Sequence, residues 1–400
     1  MSKTENSQPK ISCKNVWKIF GPHPERVTGL IKDVMTKEEI LKQTGHVVAV
    51  KNVSFDVFEG EVFMIMGLSG SGKSTLARCL NGLIKPTQGH IFIDGLDLAA
   101  MSEEEVRMTR RHKISMVFQH FALFPHYSVI ENAAYGLELQ GIDKTRRQKR
   151  ALEMLDMVGL RGWENAYPGE LSGGMQQRVG LARALALDPE ILLMDEAFSA
   201  LDPLIRRQMH DEFISLMAKV RKTIVFISHD LNEAIKLGDR IAIMKDGEIV
   251  QIDAPQQIVC SPRNEYVAEF VQDVSRDKVV PVRAIMRDPK YKLNTEQKPQ
   301  EASRAMETNK IDRAFVVDSQ DKLIGVIKSE DISQAVTRNI CRLCEIKIET
   351  AVRIGADQPI RDLLPLAASS DCAVAVVDEN EKLIGEVSRE ALLLGMIGKE

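Results

Sequence analysis

At 400 residues the chain exceeds one ordinary hydrophobic core, so two or three domains are expected. Apolar residues at 44% and charged residues at 28% suit a water-soluble globular protein, and a net charge of −4 argues against a dedicated nucleic-acid binder, which carries a basic excess. No apolar stretch approaches the ~20 residues needed to cross a bilayer, and the opening "MSKTENSQPK" lacks the apolar centre of a signal peptide; a cytosolic chain is expected, with a membrane-bound partner open to it.

In chain order, the first feature is the stretch 22–46, "PHPERVTGLIKDVMTKEEILKQTGH". Thr36 and Glu39 have capping-box spacing, so a short helical insertion is predicted. "VVAVKNVSFDVFEGEVFMIMG" reads as strands broken by a Glu-Gly turn. "STLARCLNGLI" has helical spacing, and "KPTQGHIFIDG" returns to strand and turn. "ILLMD" (Ile191–Asp195) and "TIVFIS" (Thr223–Ser228) are short apolar runs suited to buried parallel strands. The helical pattern "PLIRRQMHDEFISLMAKV" lies between them. Strands alternating with helices predict an α/β fold with a mostly parallel sheet.

Near residue 280 the chain turns polar and proline-interrupted, and an internal repeat follows. "FVVDSQDKLIGVIKSEDI" from Phe315 matches "AVVDENEKLIGEVSREAL" from Ala375, so Asp318 aligns with Asp378 and Gly325 with Gly385 at a period of 60 residues. Each unit reads as strand, turn, strand, helix, and two such short units are expected to share a core. The six cysteines (13, 79, 260, 341, 344 and 372) are expected to be reduced packing thiols. Cys341 and Cys344 make one C-x-x-C with no second pair nearby, a poor zinc pattern.

The chemistry begins at "GLSGSGKST", Gly67 to Thr75, between a predicted strand and a predicted helix. Gly67, Gly70 and Gly72, with Ser69 and Ser71 between them, let the backbone curl so that N–H groups face one anion. The helix starting there adds its positive end. Lys73 places a point charge on β- and γ-phosphates, and Ser74 offers an oxygen to Mg²⁺. "ILLMDE" ends in Asp195, placed to hold Mg²⁺ through water, and Glu196, placed to polarise an attacking water. In "LSGGMQQR", Ser172, Gly173 and Gly174 precede a helical pattern, which makes a second anion-binding helix start.

Together with "SALD" and "FISHD", these strings resemble the ATP-binding cassette (ABC) ATPases over about residues 11–270. The resemblance implies a P-loop cassette with a mixed or parallel sheet and a helical subdomain, working as a homodimer. Each ATP would lie between Gly67–Thr75 of one chain and Ser172–Gly174 of the other. His229 would contact the γ-phosphate, Gln119 would touch Mg²⁺ or the attacking water, and Asp202 would sit at the dimer seam. Phe20 aligns with the aromatic that stacks on adenine, with Trp17 as its competitor. Phe124, Pro125, Tyr127 and Val129 are the candidate contacts for a helix of a membrane-spanning partner. The basic run "KTRRQKR" (Lys144–Arg150) reads as a solvated helix face, with anionic lipid as the alternative neighbour.

The combination of motifs, insertion and repeats is similar to the ATPase subunits of glycine betaine/proline uptake systems. That likeness implies integral membrane permease subunits, an indirect link to a substrate-binding protein, and a peripheral place on the cytoplasmic face of the bacterial inner membrane. The repeats resemble a pair of CBS modules, which implies an adenine-nucleotide regulator between them. Neither repeat carries the full hydroxyl-and-Asp pattern of that family: "GVIKSED" has Asp331 but Lys328 at the hydroxyl position, and "GEVSREA" has Ser388 but Ala391 at the acidic one. The expected boundaries are a cassette over 1–270 (insertion 22–46, helical subdomain about 120–185), a linker over 271–281, and repeats over 282–338 and 339–398.

Overall fold

A computed structural model describes residues 8–27, 35–119, 121–199, 201–220, 222–370 and 372–397. Residues 28–34 of the expected insertion and the last residue of the expected second repeat lie outside it. Its contacts divide into two units: Val259–Ser261 and everything from Asp273 onward make the second, and the rest makes the first.

In the first unit, β1 (Ile11–Phe20), α1 (Lys37–Thr44), β2 (Val47–Val57), β3 (Val62–Met66), α2 (Lys73–Leu80), β4 (Gln88–Ile93), β5 (Leu96–Asp97), α3 (Glu103–His112) and β6 (Ile114–Val117) come first. Three helices that pack on one another follow: α4 (Val129–Leu139), α5 (Lys144–Met157) and α6 (Gly173–Ala186). Then come β7 (Ile191–Asp195), α7 (Pro203–Val220), β8 (Thr223–Ser228), α8 (Leu231–Leu237), β9 (Arg240–Lys245), β10 (Glu248–Asp253), α9 (Pro255–Cys260), whose last two residues join the second unit, and α10 (Glu265–Val271).

The strands form two sheets. An antiparallel sheet runs β2-β1-β4-β5, and a larger one runs β10-β9-β3-β8-β7-β6. In the larger sheet β9, β3, β8, β7 and β6 are parallel, and β10 is antiparallel at the edge. β3, β7 and β8 are unbroken apolar runs, as covering both faces of a parallel sheet requires, and Phe63–Met66, Ile191–Met194 and Ile224–Ile227 are all buried. The Glu-Gly turn is present, but β2 and β3 on its two sides enter different sheets. The predicted Thr36–Glu39 capping box starts α1, whose Ile40 packs on Ile19 and Val48 with Trp17 against the cluster. The basic run on α5 is solvated, and Arg146, Arg147 and Arg150 pair with Asp143, Glu138 and Glu153.

The second unit holds β11 (Lys292–Asn294), α11 (Pro299–Asn309), β12 (Arg313–Val317), β13 (Leu323–Lys328), α12 (Ser329–Thr337), β14 (Arg353–Gly355), α13 (Ile360–Ser369), β15 (Val374–Val377), β16 (Leu383–Val387) and α14 (Arg389–Ile397). The sheets β11-β12-β13 and β14-β15-β16 repeat one topology. Each half has its own core, and Phe315, Val317, Leu323 and Val326 join Ala375, Val377 and Leu383 in a shared one. The repeat symmetry reaches the backbone: Leu323 N–H donates to Glu381 O and Leu383 N–H to Asp321 O, both at 3.0 Å. Each repeat also gains a leading strand and helix (β11 with α11, β14 with α13) that the sequence pattern had not shown. Gly325 and Gly385 are fixed by space: a Cβ would press Gly325 on the Glu349 carbonyl and Gly385 on Met286 and the Arg287 carbonyl.

Candidate nucleotide site

β3 ends at Met66 in the middle of the large sheet, and the chain loops through 67–72 before α2 starts at Lys73. Gly72 is the N-cap of α2 at φ +104°, and a Cβ there would collide with the Ala49 carbonyl oxygen. Gly67 meets the same limit against the Met244 carbonyl. No side chain fits at either point, so the loop at these positions is lined by backbone.

The loop is held from outside. Lys37 Nζ, from the first turn of α1, lies 3.4 Å from Gly70 O, and Gly247 N–H donates to Ser71 O at 2.9 Å. In a trans peptide the N–H points opposite to the C=O, so carbonyls drawn outward turn the next N–H groups inward. Sequence reasoning missed Lys37. One signal was available: a lysine in a helix's first turn opposes the macrodipole, so helix stability does not explain it. Burial pushes its ammonium pKa down, and Asp246 and Glu248 pull it back up.

Lys73 is 5% exposed and folds over the loop, donating to Gly67 O at 2.8 Å and Leu68 O at 3.0 Å. Burial lowers its pKa against the attraction of Glu196 and Asp195. Ser71 Oγ is buried with no hydrogen-bond partner among the described residues. Ser69 and Gly70 are exposed at the tip of the loop, and Thr75 is half-buried on α2. Ser74 Oγ donates to Asp195 Oδ1 at 3.1 Å, joining α2 to the end of β7. Burial raises the Asp195 carboxyl pKa, the Ser74 bond lowers it, and the Glu196 charge raises it again.

Glu196 adopts φ +48°, a left-handed conformation that is uncommon for a residue with a side chain and concentrated at functional sites. Its N–H donates to Ile227 O at 2.9 Å, tying it to β8. Its Oε2 accepts from Gln119 Nε2 at 3.2 Å and faces His229 Nδ1 at 3.3 Å. Lys73, Ser74, Asp195, Glu196, Gln119 and His229 thus gather at the C-terminal ends of β3, β6, β7 and β8, where open α/β sheets bind ligands. Arg183 of α6 was also missed by sequence reasoning. It donates to Phe121 O at 3.0 Å and Ala122 O at 2.6 Å, holding the segment that follows Gln119.

The remaining candidates are not bonded to this cluster among the described residues. Ser172 caps α6, accepting from Met175 N–H at 3.4 Å, with Gly173 and Gly174 in its first turn. Asp202 caps α7, accepting from Leu204 and Ile205 N–H at 3.1 Å. Phe20 ends β1 with 42% of its surface exposed and Lys18 Nζ 5.1 Å from its ring centre, whereas Trp17 is half-buried against the α1 cluster. Phe124 and Tyr127 are half-buried rings 5.4 Å apart, and Pro125 is exposed. Val129 corrects the expectation: it is fully buried at the start of α4, so it offers no surface to a partner.

In the second unit, Lys328 at the hydroxyl position pairs with Glu349 at 2.6 Å, and Ser388 Oγ accepts from Ala391 N–H at 3.1 Å as a helix cap. All cysteines are free, and burial pushes the Cys79 thiol up to about 11. Among the described residues, no group of three or more His, Cys, Asp or Glu side chains could hold a metal ion, and no helix is long and apolar enough to cross a membrane.

The ABC transporter family model matches residues 50–199, and the CBS domain model matches 282–338 and 345–398. The chain is 49% identical to the glycine betaine transport ATP-binding protein OpuAA of Bacillus subtilis, over 97% of this chain and 93% of that protein. It is 46% identical to the glycine betaine/proline betaine transport system ATP-binding protein ProV of Escherichia coli, over 96% of each. A solved dimeric structure, the ATP-binding cassette MJ0796 in a post-hydrolysis state bound to ADP and Pi, matches with a TM-score of 0.52 and 35% identity, over 61% of this chain and 98% of that one. Phosphate-loop cassette first and paired repeats second, this chain belongs to the ABC transporter family as an ATP-binding subunit with CBS domains.

Proposed function

We propose that this chain is the ATP-hydrolysing, energy-coupling subunit of an importer for glycine betaine- or proline betaine-type osmolytes. The substrate class follows from the relatives' names, and the chemistry from the site. The observation that carries it is the meeting of Gln119 and His229 on one carboxylate oxygen of Glu196, beside the loop closed by Lys73.

In this reading the loop N–H groups and Lys73 bind the β- and γ-phosphates of ATP, and Phe20 stacks on the adenine. Glu196 accepts a proton from the attacking water as the water's oxygen bonds to the γ-phosphorus. The bond to the β–γ bridging oxygen breaks, which leaves ADP and phosphate. His229 and Gln119 orient the water and the γ-phosphate around Glu196. Ser74 Oγ, the Asp195 carboxylate and the Gln119 amide oxygen are hard oxygen donors, the set that Mg²⁺ prefers. When bound there, Mg²⁺ supplies positive charge against the phosphate oxygens.

The helix start at Ser172–Gly174 is not bonded to its own chain's loop, which fits a role toward a second copy. We place each ATP between the Gly67–Thr75 loop of one protomer and Ser172–Gly174 of the other, with Asp202 at the seam. The dimer sits peripherally at the cytoplasmic face of the bacterial inner membrane, where membrane-spanning permease subunits receive the work of hydrolysis and a substrate-binding protein delivers the solute to them. The paired repeats adjust activity, with an adenine nucleotide as the candidate regulator.

Uptake tests this directly. Cells lacking the subunit should fail to accumulate radiolabelled glycine betaine at high osmolarity, and the wild-type chain, but not Glu196→Gln, should restore it. Restoration of choline, carnitine or proline uptake alone would reassign the solute.

A further inference from the structure

The helix α7 carries polar groups that the hydrolysis above does not use. His210 is 7% exposed, and its Nε2 lies 2.7 Å from Oε1 of Glu233 on α8, itself 5% exposed. The other oxygen, Glu233 Oε2, accepts a hydrogen bond from Ser228 Oγ at the end of β8, where Ser228 is 1% exposed. Ser228 Oγ in turn accepts the Asp230 N–H at 3.0 Å. The residues on both sides of His229 are therefore tied, through one buried carboxylate, to α7.

The same face of α7 also holds the chain after Glu196. Arg206, one turn before His210, donates to Phe198 O at 3.1 Å, Ser199 O at 2.9 Å and Leu201 O at 3.0 Å. Its other nitrogen lies 3.8 Å from Asp230. The Phe198 ring meets the His210 ring edge-on at 5.3 Å. One helix face thus contacts the segments carrying Glu196 and His229, whose side chains face each other at 3.3 Å.

Packing alone does not call for this arrangement. Apolar residues of similar volume would fill the space without the cost of desolvating polar groups, and replacing both partners of a buried hydrogen bond by such residues is often neutral or stabilising. A polar brace adds direction: two hydrogen-bond acceptors on a rigid carboxylate fix where the β8 end sits. Positional error matters here, since a displacement of about 1 Å costs about 10²-fold in rate.

We propose that His210, acting through Glu233 and Ser228, is a positioning residue for ATP hydrolysis, setting His229 against Glu196. The inference rests on the hydrolytic roles given to those two residues, so the test addresses them first. Steady-state hydrolysis of Mg-ATP by the full chain is compared for wild type and His229→Ala. Turnover by the wild type and its fall to a low but measurable rate in His229→Ala support the site; equal turnover in the two removes the reading of the site itself.

Ser228→Ala and His210→Leu should then lower kcat about tenfold, within the positional penalty above, and leave KM for ATP within about twofold. His210→Gln can place a donor near the imidazole Nε2, so it should recover to within about threefold of wild type. In the His229→Ala background, Ser228→Ala should cost less than about twofold more, the non-additivity expected of coupled residues. His210→Leu leaves Glu233 buried with Ser228 but without its imidazole partner, and if it does not fold, Ser228→Ala and His210→Gln decide the matter. A folded Ser228→Ala with wild-type kcat would overturn the proposal. So would an equal loss in both backgrounds, or a rise in KM that matches the fall in kcat.

Discussion

The two units treat their motif residues in opposite ways. Around the phosphate loop, one polar group lacks a partner and others are held unusually: among the described residues Ser71 Oγ is buried and unpaired and Lys73 Nζ hydrogen-bonds to the loop's own carbonyls, and Glu196 sits in the left-handed region. In the repeats, the corresponding motif positions are already satisfied, Lys328 by Glu349 and Ser388 by its own helix start. Buried polar groups normally find partners, so the one at Ser71 that does not, inside a loop otherwise tied down, marks where a ligand would be received. The contrast teaches that a motif match is read best by asking what its polar atoms are doing.

The sharpest way to break the contrast is Gly72→Ala. Both the positive φ and the nearby Ala49 carbonyl oppose a Cβ, so the loop must shift. Loss of ATP binding by calorimetry and a destabilisation of more than about 1 kcal/mol by denaturant unfolding are expected. Wild-type binding would show that the loop backbone is not a cradle.

Asp195→Asn has a smaller, two-sided effect. Burial raises the Asp195 pKa, so the native chain takes up this proton at a higher pH than the unfolded chain does. With nucleotide absent, native stability therefore falls as pH rises through the native pKa. Asparagine removes that cost, and thermal unfolding at pH 7 should rise slightly while ATP turnover is lost. A fall in Tm would mean that the carboxylate stabilises the empty site.

The smallest effects belong to the repeats. Lys328→Ala removes a half-exposed ion pair, worth about 0–1 kcal/mol, and should leave ATP turnover by the isolated subunit unchanged. Ser388→Ala should cost about 1 kcal/mol as a lost helix cap, again without touching turnover. A change in turnover would show that these two side chains do more than satisfy the repeats' own structure.

Much of the cassette was legible because its chemistry is local. A glycine loop after an apolar strand, an acidic strand end and a Ser-Gly-Gly helix start each declare themselves within about ten residues. The repeat was legible because its two copies check each other. What stayed hidden depended on distance or on brevity. β11 and β14 are three residues long, too short for a two-residue period to register, so the leading half of each repeat went unseen. Lys37 reaches a loop more than thirty positions away, and Arg183 braces a segment about sixty positions before it. Val129 was misplaced because an apolar residue at a helix start reads the same whether it faces a partner or the core.

The claim on which the account turns is that Glu196 accepts the proton of water at an ATP shared by two copies of this chain. Phosphate release and sedimentation of Glu196→Gln with Mg-ATP test it most directly. Release should fall by about 10²–10⁴-fold while ATP stays bound and the protein sediments as a dimer. Near-normal release, or a monomer that holds ATP, would contradict it.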